Sequence, residues 1–141
     1  HGAFTDEKMV ELFKERGSAD VCTISPAIPY ALFDLEVSHS TELEQFNSNV
    51  VLEGVIDCAK KGLENGYAVG LGTDTACPFV THYNTWRELC LFKKYVGVSN
   101  AFALYTATKR NAELVGLGDI TGTIAPTEVL GEIFKKFCIG K

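Results

Sequence analysis

The sequence predicts an α/β protein built around a parallel sheet. Two short apolar runs, residues 21–24 and 67–71, are bounded by proline or glycine and have the composition of buried strands. Between them, from about residue 49 to residue 65, apolar side chains recur at helical spacing until Gly66 ends the segment. A strand, a long connection, a helix and a second strand form the βαβ unit of a parallel sheet.

The elements before that helix are less regular. Thr5 or Asp6 can cap a first helix over residues 7–16, because either side chain can accept a backbone hydrogen bond at a helix start. Residues 26–48 are predicted to form a long connection, with one helical turn near residues 30–35, because two prolines interrupt it. Long connections of this kind often form the mouth of a barrel active site.

Helices are predicted to follow the second strand. One covers about residues 84–95 and ends at Gly97, and Ser99 can cap the next, which a break near Thr108 divides in two. Residues 127–137 have the pattern of an amphipathic helix whose apolar face packs against a neighbour. Aromatic side chains at helical spacings are expected in the core: Trp86, Tyr95, Phe102 and Tyr105.

Composition argues against several classes of protein. The net charge of −5 disfavours a nucleic-acid partner, which needs clustered lysine and arginine. No apolar stretch reaches the ~18 residues that cross a membrane, and the glycines form no phosphate-binding motif. The cysteines are widely spaced and are expected to be reduced core thiols of a cytoplasmic protein: Cys22, Cys58, Cys77, Cys90 and Cys138.

Asp74 directly follows the second predicted strand, in the sequence Gly70-Leu71-Gly72-Thr73-Asp74. In α/β barrels, catalytic groups lie at the carboxyl ends of the strands. A carboxylate there can bind a divalent metal and accept a proton from metal-bound water as a general base. From spacing alone, a helix cap or a turn residue that accepts backbone hydrogen bonds explains the position equally well.

An ordered series of motifs accompanies Asp74. The opening His1-Gly2-Ala3, the Gly-Thr-Asp turn, Ala107-Thr108 and Asn111-Ala112-Glu113 follow one another along the chain. This series resembles the amidohydrolase superfamily, in particular its imidazolonepropionase-like and prolidase-like (Xaa-Pro dipeptidase) branch. The resemblance runs from His1 to about Ile124, with the Gly-Thr-Asp turn similar to the one after the eighth barrel strand.

The resemblance implies a C-terminal fragment of a (β/α)8 TIM-type metal-dependent hydrolase barrel, with about two barrel strands and several helices. The 141 residues are too few for a complete barrel, which needs roughly 250. Residues 1–124 would extend from the end of strand 6 to the helix after strand 8. Residues 125–141 would form a helical tail that departs from the family pattern. A remaining N-terminal barrel portion, or a homo-oligomer partner, would complete the fold.

The resemblance also implies a reaction and its metal. Metal-activated water would hydrolyse a C–N bond in a small cyclic amide or a peptide, and the divalent metal of the intact enzyme is expected to be zinc. Asp74 would be both metal ligand and proton carrier, and His1 would be a second ligand. His82 would lie near the substrate mouth, with Tyr83 and Arg87 as weaker candidates.

Structural explanations compete with these roles. A disordered terminus is the favoured alternative for His1 in this molecule, and a helix-start or packing role is the more common one for a histidine such as His82. The family's HxH pair and bridging lysine or acid are absent, so the chain alone is not expected to bind metal tightly. A non-catalytic α/β fragment or interaction domain that keeps the motif is the alternative function.

Overall fold

The computed structural model describes residues 1–119. The amphipathic helix expected at 127–137, the domain boundary at 124 and Cys138 lie outside these residues, so they stay predictions. In chain order, the described elements are α1 (Glu7–Arg16), β1 (Ala19–Cys22), α2 (Ala27–Leu32), α3 (Leu35–Ser38), α4 (Glu42–Asn65), β2 (Ala68–Leu71), a 3-10 turn (His82–Asn84), α5 (Trp86–Val96), α6 (Asn100–Tyr105), a π-helical turn (Thr106–Arg110) and α7 (Asn111–Leu114).

The two strands form a parallel pair, which confirms the α/β prediction. They pair in register from Ala19 opposite Ala68 to Cys22 opposite Leu71. The amide of Gly72 donates to the Cys22 carbonyl at 2.9 Å and extends the pairing by one residue. The carboxyl ends of both strands therefore lie side by side, and the segments that leave them begin at the same edge.

The predicted position of β1 was wrong by two residues, since the strand covers 19–22 and not 21–24. The reason is tertiary: the amides of Ile24 and Ser25 donate to the side chain of Glu88, and not to a neighbouring strand. The apolar run thus continues beyond the strand. Ile24 is fully buried, although it lies in the segment that leaves the sheet.

The segment 26–48 contains more helix than the predicted connection: α2 overlaps the helical turn expected near residues 30–35, and α3 and the first turns of α4 occupy much of the rest. Pro26 precedes α2 and Pro29 lies in its first turn, where a missing amide proton costs no intrahelical hydrogen bond. α4 begins seven residues before the predicted start at Asn49. Thr41 starts it with a capping box, in which Glu44 binds the Thr41 backbone in return.

The other predicted helix ends agree with the structure. Asp6 caps α1, accepting from the Met9 amide at 2.8 Å, whereas the Thr5 hydroxyl is buried and donates to the Ala3 carbonyl. Ser99 caps α6 through the Phe102 amide. The π-helical turn at 106–110 is the break that was predicted near Thr108.

The core lies between α4, the sheet and α5. Its buried apolar members come from both strands, from the residues beside them and from four helices: Cys22, Ile24, Ala27, Ala31, Leu52, Val55, Ala59, Tyr67, Val69, Leu71, Phe92, Val96 and Ala103. Trp86 was expected in the core but is 58% exposed, because it begins α5 on the solvent side. Of the four cysteines in the described part, all free, only Cys22 and Cys58 are buried.

Candidate functional site

His1 and Asp74 meet at the carboxyl ends of the two strands. The Nε2 atom of His1 lies 3.9 Å from Oδ2 of Asp74, and both side chains are accessible, at 64% and 42%. The other ring nitrogen, Nδ1, lies 2.5 Å from the hydroxyl oxygen of Thr23, just after β1. When Nδ1 carries the proton and donates it to Thr23, Nε2 keeps the lone pair that a cation needs.

The segment before α1 fixes the position of His1 by packing on α4. Gly54 allows this approach, since a Cβ there would lie 3.0 Å from the Phe4 amide nitrogen. Gly2 has a φ of 85°, and a Cβ there would lie 3.0 Å from the Cβ of Cys58 and 3.1 Å from Oδ1 of Asp20. The Thr5 amide donates to the Asp57 carboxylate at 3.0 Å. His1 is thus held against Thr23 in this structure, although a disordered terminus was the favoured expectation.

Asp74 lies in a tight turn and not at a helix start. Its φ is 50°, a left-handed conformation that aspartate tolerates better than most residues, and Ala76 is left-handed as well. The Cys77 amide donates to the Asp74 carbonyl at 3.2 Å, which closes the turn. The Cys77 thiol donates to Oδ2 of Asp74, also at 3.2 Å, and this hydrogen bond raises the pKa of the thiol.

An open pocket of about 250 Å³ adjoins His1, Thr23 and Asp74. Most of its remaining wall is apolar or aromatic, and this wall is formed by α2 with the proline before it and by α4: Pro26, Ala27, Tyr30, Ser48, Val51 and Val55. Pockets with apolar walls and a few convergent polar groups are typical ligand sites. A small molecule in this pocket would contact the histidine and the carboxylate together.

The His1–Asp74 pair fits part of a zinc site. Two ligands with bonds of about 2.1 Å to a tetrahedral zinc lie roughly 3.4 Å apart, so a shift of a few tenths of an ångström would bring both onto one ion. A catalytic zinc takes three protein ligands and an open position. Within residues 1–119, no group of three or more histidine, cysteine, aspartate or glutamate side chains is arranged to hold a metal.

His82, Tyr83 and Arg87 do not join this pair. All three side chains are exposed, and none of them lines the pocket beside Asp74. Arg87 instead lines a smaller cavity of about 130 Å³, together with Asn84, and neither His1 nor Asp74 lines that cavity. The role of His82 at the substrate mouth stays a prediction.

Glu88 is a residue that the sequence analysis overlooked. It is 1% exposed on α5 and accepts hydrogen bonds from the amides of Ile24 and Ser25, at 2.6 and 2.9 Å, and from the Ser25 hydroxyl. Burial raises the pKa of its carboxyl, while the hydrogen bonds oppose that rise. A signal existed in the sequence, since Glu88, Phe92 and Val96 recur at helical spacing on the buried face of α5.

Asn111 holds the end of β2 in a similar way. Its side-chain oxygen accepts from the Leu71 amide at 3.0 Å, and its amide group donates to the Leu71 carbonyl at 2.6 Å. These are the hydrogen bonds a third strand would make at the outer edge of β2. Gly70 leaves room for this contact, since a Cβ there would lie 2.6 Å from the Asn111 side-chain oxygen.

The fold is similar to part of a known structure. The crystal structure of a protein from Bifidobacterium longum, provisionally named a prolidase, superimposes with a TM-score of 0.78 and is 37% identical in sequence. The match covers 84% of this chain and 30% of that protein. The chain therefore has a prolidase-like α/β fold. It spans less than a third of the length of that protein.

Relatives found by sequence comparison carry a different name from the similar structure, and their identity to the chain is lower. The chain is 28% identical over 139 residues to the tRNA modification GTPase MnmE of Rickettsia canadensis, and 28% identical over 113 residues to that of Rickettsia bellii. It spans 30% and 24% of these proteins. Both matches are below 30% identity, and the chain itself contains no phosphate-binding GxxxxGK[ST] motif. No family model matches the chain.

Among the helices of the described part, none is both long and apolar enough to pass through a bilayer.

Proposed function

We propose that the chain is the C-terminal part of a metal-dependent amidohydrolase that hydrolyses C–N bonds in cyclic amides or dipeptides. The observation that carries the proposal is the approach of His1 to Asp74, 3.9 Å apart at the carboxyl ends of two parallel strands. Imidazole nitrogen and carboxylate oxygen are both zinc ligands. The likeness to the Bifidobacterium longum structure supports the same class of enzyme.

The intact enzyme in this proposal is a (β/α)8 barrel, and the chain contributes two of its strands. An N-terminal barrel portion supplies the other strands and the missing metal ligands, and a second copy of the chain is the alternative partner. The short span of the match supports an incomplete unit, since the chain covers only 30% of the similar structure. Apolar side chains are exposed on β1 and α4, such as Val21 and Phe46. They support the proposal that the missing part of the enzyme, or a second copy of the chain, covers this surface.

In the intact enzyme of this proposal, His1 and Asp74 would be two of the groups that hold a divalent metal, zinc in this proposal. Such an ion would supply Lewis acidity, which lowers the pKa of water so that it could attack near neutral pH. Asp74 accepts the proton that the attacking water releases. The water oxygen bonds to the carbonyl carbon, the C–N bond breaks, and Asp74 delivers the proton to the leaving nitrogen. His82 is proposed to contact the substrate from the loop after the Asp74 turn.

The test is Asp74→Asn in the full-length protein that contains this chain, assayed with Xaa-Pro dipeptides and with cyclic amides. Asparagine keeps the size of the side chain but cannot carry the proton, so kcat is expected to fall by about 10²–10⁴-fold. Asp34→Asn is the matched control, because Asp34 is exposed and its side chain caps nothing. Full activity of Asp74→Asn would refute the proposed role.

The alternative is a non-catalytic α/β fragment or interaction domain that keeps the Gly-Thr-Asp turn. The observation that favours it is the lack of a three-ligand group within residues 1–119. A full-length protein that contains no bound metal and hydrolyses neither class of substrate would support this alternative. Near-stoichiometric metal would support the hydrolase.

A further inference from the structure

The carboxylate of Glu88, on α5, binds two residues just after β1. These are Ile24 and Ser25, which are 64 and 63 positions away in the sequence. Oε1 accepts from the amide of Ile24 at 2.6 Å, and Oε2 accepts from the amide and the hydroxyl of Ser25. Both amides lie just beyond the end of β1, where no strand pairs with them in the described part of the chain. The carboxylate therefore takes the place of a strand edge as hydrogen-bond acceptor.

Packing alone does not explain a glutamate at this position. The buried face of α5 continues with Phe92 and Val96, and an apolar side chain would fill the same space without the cost of removing a charge from water. Charge-assisted hydrogen bonds to carboxylates are stronger than neutral ones and have a narrower geometry. A buried carboxylate with three donors thus fixes the direction in which the chain leaves β1.

That direction determines where Thr23 lies. Thr23 is directly before the two residues that Glu88 holds, and its hydroxyl is 2.5 Å from Nδ1 of His1. We propose that Glu88 is a positioning residue of the candidate site, because its hydrogen bonds to Ile24 and Ser25 keep Thr23 in contact with His1. This inference rests on the proposed function for the identity of the site, but its test needs neither metal nor substrate.

The test is Glu88→Gln in the full chain, followed by NMR. The glutamine amide would turn a donor toward the donors of Ile24 or Ser25, so hydrogen exchange at these two amides is expected to become at least about tenfold faster. The nuclear Overhauser effect between the His1 ring and the Thr23 methyl group is expected to fall below half of its original intensity. Ser25→Ala removes one donor only and is expected to give an intermediate effect.

Phe92→Leu is the control, since it alters the same buried face of α5 and leaves the three hydrogen bonds in place. It is expected to lower stability but to keep the His1–Thr23 signal. If Glu88→Gln accelerates exchange and leaves that signal unchanged, Glu88 is only an anchor and the inference is wrong. A wild-type chain without the signal would overturn it as well. Loss of activity in Asp74→Asn is independent of both outcomes.

Discussion

Asp20 shows how a single buried group makes stability depend on pH. It lies on β1 at 3% exposure, and among the described residues its Oδ2 atom has no hydrogen-bond partner. Burial raises the pKa of its carboxyl above the ordinary 3.8, while the positive charge of the α-amino group of His1 and a hydrogen bond with Cys58 oppose that rise. The folded chain therefore binds a proton at Asp20 more tightly than the unfolded chain does. The stability that this proton contributes is present below pH 3.8 and is lost as the pH rises through the folded-state pKa.

Asp20→Asn is expected to raise the free energy of unfolding at pH 7 by about 1 kcal/mol, because it removes an incompletely paired buried charge. The difference from wild type should shrink as the pH falls through the folded-state pKa of Asp20, below which the carboxyl is neutral in the folded chain. Urea denaturation at a series of pH values measures this trend. Asp34→Asn, at an exposed site, should change the free energy of unfolding very little at any pH. If Asp20→Asn differs from wild type by the same amount at every pH, the raised pKa of Asp20 is not the cause of the change.

Among the helices, α4 does most to organise the chain. It covers residues 42–65 and contacts both strands, α2, α5 and α1. Two of its glycines permit close neighbours: the Phe4 backbone lies against Gly54, and the Tyr67 ring lies against Gly62. The helix therefore places the first residues of the chain, His1 among them, beside the sheet.

Thr41→Ala is expected to destabilise the chain by about 0.5–2 kcal/mol, because the N-cap of α4 loses its hydroxyl. That hydroxyl accepts from the Glu44 amide and donates to the Glu44 carboxylate, whereas the bond from the Thr41 amide to the same carboxylate does not need it. Thermal or urea denaturation measures the change. Ser40→Ala, one residue earlier, is the control, and a loss as large as that of Thr41→Ala would contradict the role of the cap.

The ends of helices were the part of the fold that the sequence predicted best. Gly66, Gly97, Asp6 and Ser99 act locally, through backbone conformation or one short-range hydrogen bond, so their effect does not depend on distant residues. The start of α4 was missed although the Thr41-to-Glu44 signature is present, because the two preceding prolines were taken to disfavour helix.

For the molecule as a whole, an incomplete metal site has a consequence for stability. A ligand stabilises a protein only to the extent that the folded state binds it. Within residues 1–119, His1 and Asp74 form a site of only two ligands, so the isolated chain should bind zinc weakly. Treatment with a chelator is therefore expected to leave its thermal denaturation midpoint unchanged.

The full-length protein provides the comparison for this prediction. Its midpoint is expected to fall by several degrees with the chelator, because the complete site of the proposed enzyme would bind the ion tightly. Scanning calorimetry with and without the chelator measures both. A large decrease in the isolated chain would mean that residues 1–141 hold the metal by themselves.

By itself, the sequence determined the α/β class, the parallel strand pair, most helix ends and the placement of Asp74 after a strand. Each depends on local spacing, on glycine and proline geometry, or on a short motif. The resemblance implied that His1 and Asp74 share one metal, and the structure gives the distance between them, 3.9 Å. Only the tertiary structure decided that β1 ends at Cys22 and that Glu88 and Asn111 hold the strand ends. Those contacts join residues 40 to 64 positions apart, and the order of residues along the chain does not specify which distant groups meet.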